Sequence, residues 1–393
     1  MFRFLTRTVW ILSLVSLFAD LASEMLYPVM PAFLDGIGMS AAGIGFLEGA
    51  AALVAGFGKV WFGSLSDQLQ RRNIFIRLGY GLSAFAKPFM GLFPFIWPVF
   101  AARLFDRVGK GMRGGPRDAS LSDAAHPEDL GKVFGFHRSM DTIGAVGGAG
   151  LALIWLIAYP GEYEMLFLIA FIPGLLSIAF TLFLQKDKPS TTKAGKYAFR
   201  GIFSFWKQAP SGYRNLLLAG IAFALLNSSD ILLLLRAGDA GMKPFEVVGL
   251  YLFYNIVYVL ASFPLGGLAD RIGFKPVYVL SIVCYGISYL GIALATETWM
   301  IWAVFGIYGF FAASNEGIVT AWLTLFIPKE KKGTGLGLFS FFETIAKFVA
   351  SPALGLLWVA SSSQSAFAVV GVAALLLGVS FLLFLPSKAI PKK

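Results

Sequence analysis

Arg103-Leu104-Phe105-Asp106-Arg107-Val108-Gly109-Lys110-Gly111-Met112-Arg113 decides the fold. It continues an apolar run that begins near Trp97, so it belongs inside a membrane helix. At about 100° per residue, positions 103, 106, 107 and 110 fall on one face. A charge at the bilayer centre costs about 2.5–3.5 kcal/mol on insertion scales. Three cations and a carboxylate on one stripe must therefore face partners or water. Arg113, and to a lesser degree Lys110, could snorkel to the interface. Arg103, about two turns inside the helix from Trp97, has no such exit.

The rest of the chain has the composition such a stripe requires. Of 393 residues, 57% are hydrophobic and 14% charged, with mean hydropathy +0.74, whereas soluble domains carry about 25% charged residues. Apolar runs of roughly 20 residues recur end to end, the length that spans hydrocarbon. Twelve spans fit, at about 8–34, 41–65, 74–93, 96–115, 132–158, 164–184, 214–237, 244–268, 276–296, 299–327, 334–358 and 364–386. The net charge of +10 suggests nucleic acid until the cations are located. Of 32 Lys and Arg, 22 fall in segments on the side of the N-terminus, two (Arg236 and Lys243) on the other side and eight within spans. That asymmetry puts both termini in the cytoplasm, and it assigns the basic excess to topology and lipid headgroups. The lone Cys284 permits no intrachain disulfide, and His126 and His137 have no metal-site spacing. The N-terminus resembles a signal peptide, but Asp20 and Glu24 interrupt its apolar run, so it is expected to be a retained helix.

Residues 185–213 form the one long polar stretch, Lys-rich and containing Pro189-Ser190-Thr191-Thr192. They separate residues 1–184 from 214–393 as a basic cytoplasmic linker. The two parts repeat. Gly63-Ser64-Leu65-Ser66-Asp67 recurs as Gly266-Gly267-Leu268-Ala269-Asp270, and Met39 matches Met242 at the same shift of 203. Gly131, Gly135 and Asp141-Thr142-Ile143 match Gly333, Gly337 and Glu343-Thr344-Ile345 at a shift of 202. Six spans is an even number, so the halves share one orientation: two parallel six-helix bundles with a site expected at the midplane between them.

These motifs resemble the major facilitator superfamily of secondary transporters over the whole chain. The family's loop signature G-x-x-x-D-R-x-G-R-K is matched by Gly266, Asp270, Arg271, Gly273 and Lys275. The first copy keeps Gly63, Asp67, Arg71 and Arg72 but departs at Gln68 and Gln70. The resemblance implies a latch on the cytoplasmic side, with each acid favouring a neighbouring helix N-terminus. Leu104, Arg107 and Gly111 are similar to the L-x-x-R-x-x-Q-G signature of proton-linked drug exporters, with Lys110 in place of Gln. That likeness implies a role for Arg107 in proton transfer. The exporters' fifth-span glycine motif is half present: Gly144, Gly147, Gly148 and Gly150 remain, with Ala149 at the Pro position. Close packing is the expected role of these glycines.

The resemblance implies that the first, fourth, seventh and tenth spans line a central cavity. Independently, those spans hold intramembrane charge and amide: Asp20 and Glu24, Arg103 to Lys110, Asn227 and Asp230, Asn315 and Glu316. Ion pairs are expected from Asp20 or Glu24 to Arg103 or Arg107. Arg138 with Asp141, and Glu343 with Lys347, have the spacing of pairs within one helix, and gating or contact between the halves is expected of them. Arg77 should snorkel; Lys87-Pro88 in the third span has no evident purpose. A carboxylate beside an arginine can take a proton when the arginine moves away, so Asp20, Glu24 and Asp141 are candidate carriers. The same arginines suit a carboxylate or phosphate of the substrate. The expectation is a proton-coupled transporter of a small anionic or zwitterionic organic solute in a prokaryotic inner or plasma membrane. It should be a monomer driven by the proton gradient without a cofactor, export being favoured. Uptake of an anionic nutrient or metal-chelating organic acid is the alternative. A transport-inactive sensor fits less well because the central polar stretch is short, and an integral-membrane enzyme least well because no nucleophile–base or metal constellation stands out.

Overall fold

A computed structural model describes residues 5–126, 129–185, 205–327 and 332–385, though not the side chains of Leu130, Phe263, Asp270, Glu316 and Lys332. Among the described residues there are fifteen helices of seven residues or more and no strand. Seven segments are long and apolar enough to cross a membrane: Ala41–Leu69, Lys132–Ala158, Tyr163–Thr181, Pro244–Ala269, Phe274–Leu294, Thr334–Ala360 and Ser363–Phe384. The other predicted spans are broken, charged or include side chains outside the description. By contact the chain divides into Met1–Met39 with Ala50–Lys196, and Ser40–Gly49 with Tyr197–Lys393. Most of the predicted linker, 186–204, lies outside the described residues.

The first unit holds α1 (Arg7–Glu24), α2 (Met30–Gly36), most of α3 (Ala41–Leu69), α4 (Arg72–Leu92), α5 (Ile96–Asp123), α6 (Leu130–Ala158), α7 (Tyr163–Ile169) and α8 (Phe171–Thr181). The second holds α9 (Ser211–Ala224), α10 (Asp230–Asp239), α11 (Pro244–Ile272), α12 (Phe274–Leu294), α13 (Thr298–Thr324), α14 (Lys332–Ala360) and α15 (Ser363–Phe384). Ser40–Gly49, at the start of α3, belongs with the second unit because its glycines meet α14 backbone to backbone. A Cβ on Gly49 would lie 2.7 Å from the Phe348 carbonyl oxygen, and one on Gly355 would lie 2.5 Å from that of Ala41.

Three predicted spans are not continuous, the sixth being interrupted at the single residue Ala170 between α7 and α8. The first breaks between Glu24 and Met30, where Pro28 lacks the N–H a helix needs and Pro31 sits in the first turn of α2. The seventh breaks between Ala224 and Asp230 without a proline. There Asn227, Ser228 and Ser229 are residue types that compete for their own backbone, and the Ser229 hydroxyl accepts from Ile231 N at 3.4 Å to cap α10. The fourth span runs past the expected end at 115 to Asp123.

Within the first unit, small residues set the approach of the helices. A Cβ on Gly109 would lie 2.5 Å from the Gly79 carbonyl oxygen, so α4 and α5 touch at their backbones. On the seam of α1 with α6, a Cβ on Gly144 would collide with the Leu17 carbonyl and one on Gly148 with that of Leu21. Gly150, by contrast, has open space beside it.

Candidate functional site

The α4–α5 contact at Gly79 and Gly109 sorts the charges of α5 into two sets. Asp106 and Arg113, three residues before and four after Gly109, turn towards α4. Lys87 on α4 donates to the Ser83 carbonyl at 3.1 Å and reaches Asp106 Oδ1 at 3.5 Å. Both charged side chains are buried, at 4% and 8% exposure. Asp106 also meets Arg107 Nε at 3.8 Å. Lys87 therefore has a purpose: it is the counter-ion of Asp106. Asp106 thus keeps the contact with Arg107 that its helical phase suggested, but it is turned to α4 as well, which the phase did not suggest.

Arg113 does not snorkel. It is buried, its guanidinium 4.4 Å from the centre of the Tyr80 ring, and it donates to Ser83 Oγ at 2.6 Å. Ser83 in turn donates to the Asp106 carbonyl at 3.0 Å. Arg, Ser and Asp thus form one chain of contacts across the α4–α5 seam. Arg77 is half-buried, with Nε 3.4 Å from the Thr181 carbonyl oxygen.

The remaining cations of α5 look towards α1. Arg103 lies 5.9 Å from the ring of Tyr27, which sits within the break in the first span. Arg117 donates to Ser16 Oγ at 2.9 Å and to Asp118 of its own helix at 3.0 Å, while Lys59 of α3 meets Asp118 at 3.0 Å. Lys110 is exposed, and the charges acting on it include Arg107 and Arg113 on α5 and Asp20 and Glu24 on α1. Asp20 in turn feels Asp141 on α6 as well as Lys110, Arg113 and Arg117. The structure thus gathers Asp20, Glu24, Arg107, Lys110 and Asp141 into one electrostatic neighbourhood, to which Arg117 must be added.

Asp141 meets His137, one turn back on α6, with Nε2 3.7 Å from Oδ1, and Ser13 Oγ lies 3.4 Å from Nδ1 of the same ring. Arg138 between them is exposed.

In the second unit the candidates fall at the break of the seventh span. Asp230 opens α10 and accepts a bond from Tyr308 on α13 at 2.6 Å. Ser228 Oγ is 2.7 Å from Tyr289 Oη, and Tyr285 donates to the Leu226 carbonyl at 2.6 Å, so α12 supplies hydroxyls where the helix ladder is interrupted. Ser229 Oγ donates to Glu48 at 3.5 Å and its N–H donates to Ser351 Oγ at 3.0 Å. Asn227 and Asn315 are half-buried; the side chain of Glu316 lies outside the described residues.

At the loop signature, Arg72 rather than Arg71 makes the contacts. It binds Asp67 at 3.0 Å and also pairs with Asp123 at the end of α5, whereas Arg71 is exposed. Gly63 lies against Gly115 of α5. The glycine position of the signature takes positive φ in both copies, 96° at Gly273 and 51° at Gln70. Gly266 has open space beside it, Arg271 is exposed, and the Asp270 side chain lies outside the described residues. Glu343 and Lys347 pair at 2.9 Å. Among the described residues no group of His, Cys, Asp and Glu could hold a metal ion.

The profile of the Major Facilitator Superfamily matches residues 12–254 and 216–393. An uncharacterised MFS-type transporter of Methanocaldococcus jannaschii is 32% identical over 363 residues, 91% of this chain and 89% of that protein. The fold is similar to the crystal structure of the nucleoside transporter NupG, with TM-score 0.78 at 13% identity over 96% of this chain and 99% of that one. It is also similar to a POT family transporter in complex with 5-aminolevulinic acid, with TM-score 0.78 at 11% identity over 98% and 97%. At such identities the structures share a fold and no more. Profile and relative together establish that this chain is a membrane protein belonging to the major facilitator superfamily of transporters.

Proposed function

We propose that the chain is a proton-coupled secondary transporter of a small organic solute with an anionic group, working by alternating access. The observation that carries this is the sorting of charge on α5. Asp106 is engaged by Lys87 and Arg107, so the α1-facing side keeps Lys110 in the field of Asp20 and Glu24, Arg117 in that of Asp20, and Arg103 beside the Tyr27 ring. Cations held in a membrane protein's interior mark a pathway for ions or solutes. A guanidinium there can hold a substrate carboxylate or phosphate, and a neighbouring carboxylate can hold a proton in its place. Among the carboxylates of the first unit, Asp20, Glu24 and Asp141 are the candidates to take part in carrying the proton. Export is the proposed direction, because Leu104, Arg107 and Gly111 resemble the exporter signature. The one-sided distribution of the basic segments supports cytoplasmic termini, and the proposed location is a prokaryotic plasma membrane. The nucleoside transporter and the POT family transporter that share the fold support transport and leave the solute open.

The test is reconstitution in liposomes with an imposed pH gradient, scanning anionic, zwitterionic, cationic and neutral solutes. Anions or zwitterions driven by the gradient are expected. Preference for cations would overturn the role given to α5, and transport indifferent to the gradient would remove proton coupling.

A further inference from the structure

We propose that His137 and Asp141 together form the proton-binding site of this transporter, in the seam between α1 and α6; this rests on the proton-coupled reading above. The pair is buried, His137 at 4% and Asp141 at 8% exposure. His137 Nε2 and Asp141 Oδ1 face each other at 3.7 Å, and neither atom has a hydrogen-bond partner. Buried polar atoms left unsatisfied are uncommon and costly, and two facing each other have one remedy in common.

With the imidazole neutral, its single N–H sits on one of two nitrogens. On Nδ1 it points at Ser13 and leaves the Nε2 lone pair opposed to a carboxylate. On Nε2 it points at Asp141 across a gap too long for a hydrogen bond. One proton taken from water makes both nitrogens donors. Nδ1–H then bonds Ser13 on α1, and Nε2–H closes on Asp141 as a charge-assisted bond. No other bond forms or breaks. Proton uptake thereby tightens α6 on itself and onto α1.

The charges facing this pair decide when it fills. Asp20 faces it from α1, Arg117 and Asp118 from α5, and Arg138 from α6 itself. Arg117, anchored on Ser16, opposes a proton on the ring. A movement of α5 that withdraws Arg117 would admit one. The site is therefore tied to the same helix that carries the proposed substrate cations.

The chain has two histidines, His126 and His137, so ¹⁵N-histidine NMR of the full chain in lipid nanodiscs resolves the ring directly, with His126→Asn giving the assignment. Between pH 5 and 8.5 the His137 ring is expected to change from charged to neutral. At pH 6, Asp141→Asn should reduce the charged fraction at least tenfold, and Arg117→Gln should increase it. A ring that stays neutral throughout overturns the proposal, and wild-type protein alone suffices for that result. In liposomes loaded with a pH-reporting dye, His137→Gln should still pass solute down its gradient but no longer move protons with it. Proton movement unchanged in His137→Gln overturns the proposal and leaves the proton-coupled reading standing. Solute flux without protons in the wild type overturns both.

Discussion

Replacing Lys87 by Met tests the charge sorting on which the site depends. Methionine keeps most of the unbranched stem, so the change isolates the ammonium from the packing. Lys87 is 4% exposed and Asp106 8%, so removing the cation strands a buried carboxylate, which costs about 3–5 kcal/mol where no other charge compensates. Here Arg107 remains 3.8 Å away, which places the expected loss near the lower end, about 3 kcal/mol. For a unit of this size the apparent Tm should fall by about 6–12 °C, read by thermal unfolding in detergent. Removing both charges, as Lys87→Met with Asp106→Leu, should recover most of the loss, because buried pairs are often replaceable by apolar residues. The double-mutant cycle should then show a coupling of about 2 kcal/mol. If Lys87→Met unfolds within about 1 °C of wild type, or if the two losses simply add, then Lys87 is not the counter-ion and the sorting of α5 is wrong.

Other consequences are direct. Gly148→Leu should abolish folded protein by size-exclusion chromatography, because its side chain meets the Leu21 backbone of α1, whereas Gly150→Leu, with open space, should elute as wild type. Gln70→Gly should raise stability by up to about 1 kcal/mol, since Gln70 holds φ 51° where a side chain is penalised; a drop in Tm would refute that. Arg107→Gln should reduce anion transport in liposomes at least tenfold while leaving the unfolding temperature within about 3 °C; intact transport would demote Arg107 to a structural partner of Asp106. Tyr308→Phe, which strips the bond to Asp230, should cost about 1–2 kcal/mol, measured by thermal unfolding.

Much of the architecture was legible in the residue order, because hydrocarbon imposes a length and a composition on each helix. Apolar runs, flanking Lys and Arg, and the repeat of Gly63–Asp67 as Gly266–Asp270 pointed to a membrane bundle of repeated halves and to its family. Pro28 and Pro31 could have announced the break in the first span. The break at Asn227-Ser228-Ser229 carries no proline, and the hydroxyls that sustain it come from α12, far away in the chain. The acids and cations of the site were visible as intramembrane charges, since each is costly in lipid wherever it lies. Their partners were not. Helical phase put Asp106 with Arg107, and the two do meet, but the Gly79–Gly109 contact fixes the rotation of α5 against α4, and that rotation also gives Asp106 the Lys87 ammonium and Arg113 the Tyr80 ring. His137 and Asp141 were readable as neighbours one turn apart. That they lie buried against Ser13, with facing atoms unsatisfied, follows only from the packing of α6 on α1. A sequence states which charges a membrane helix must carry; the approach of a neighbouring helix decides which of them pair and which stay available for work.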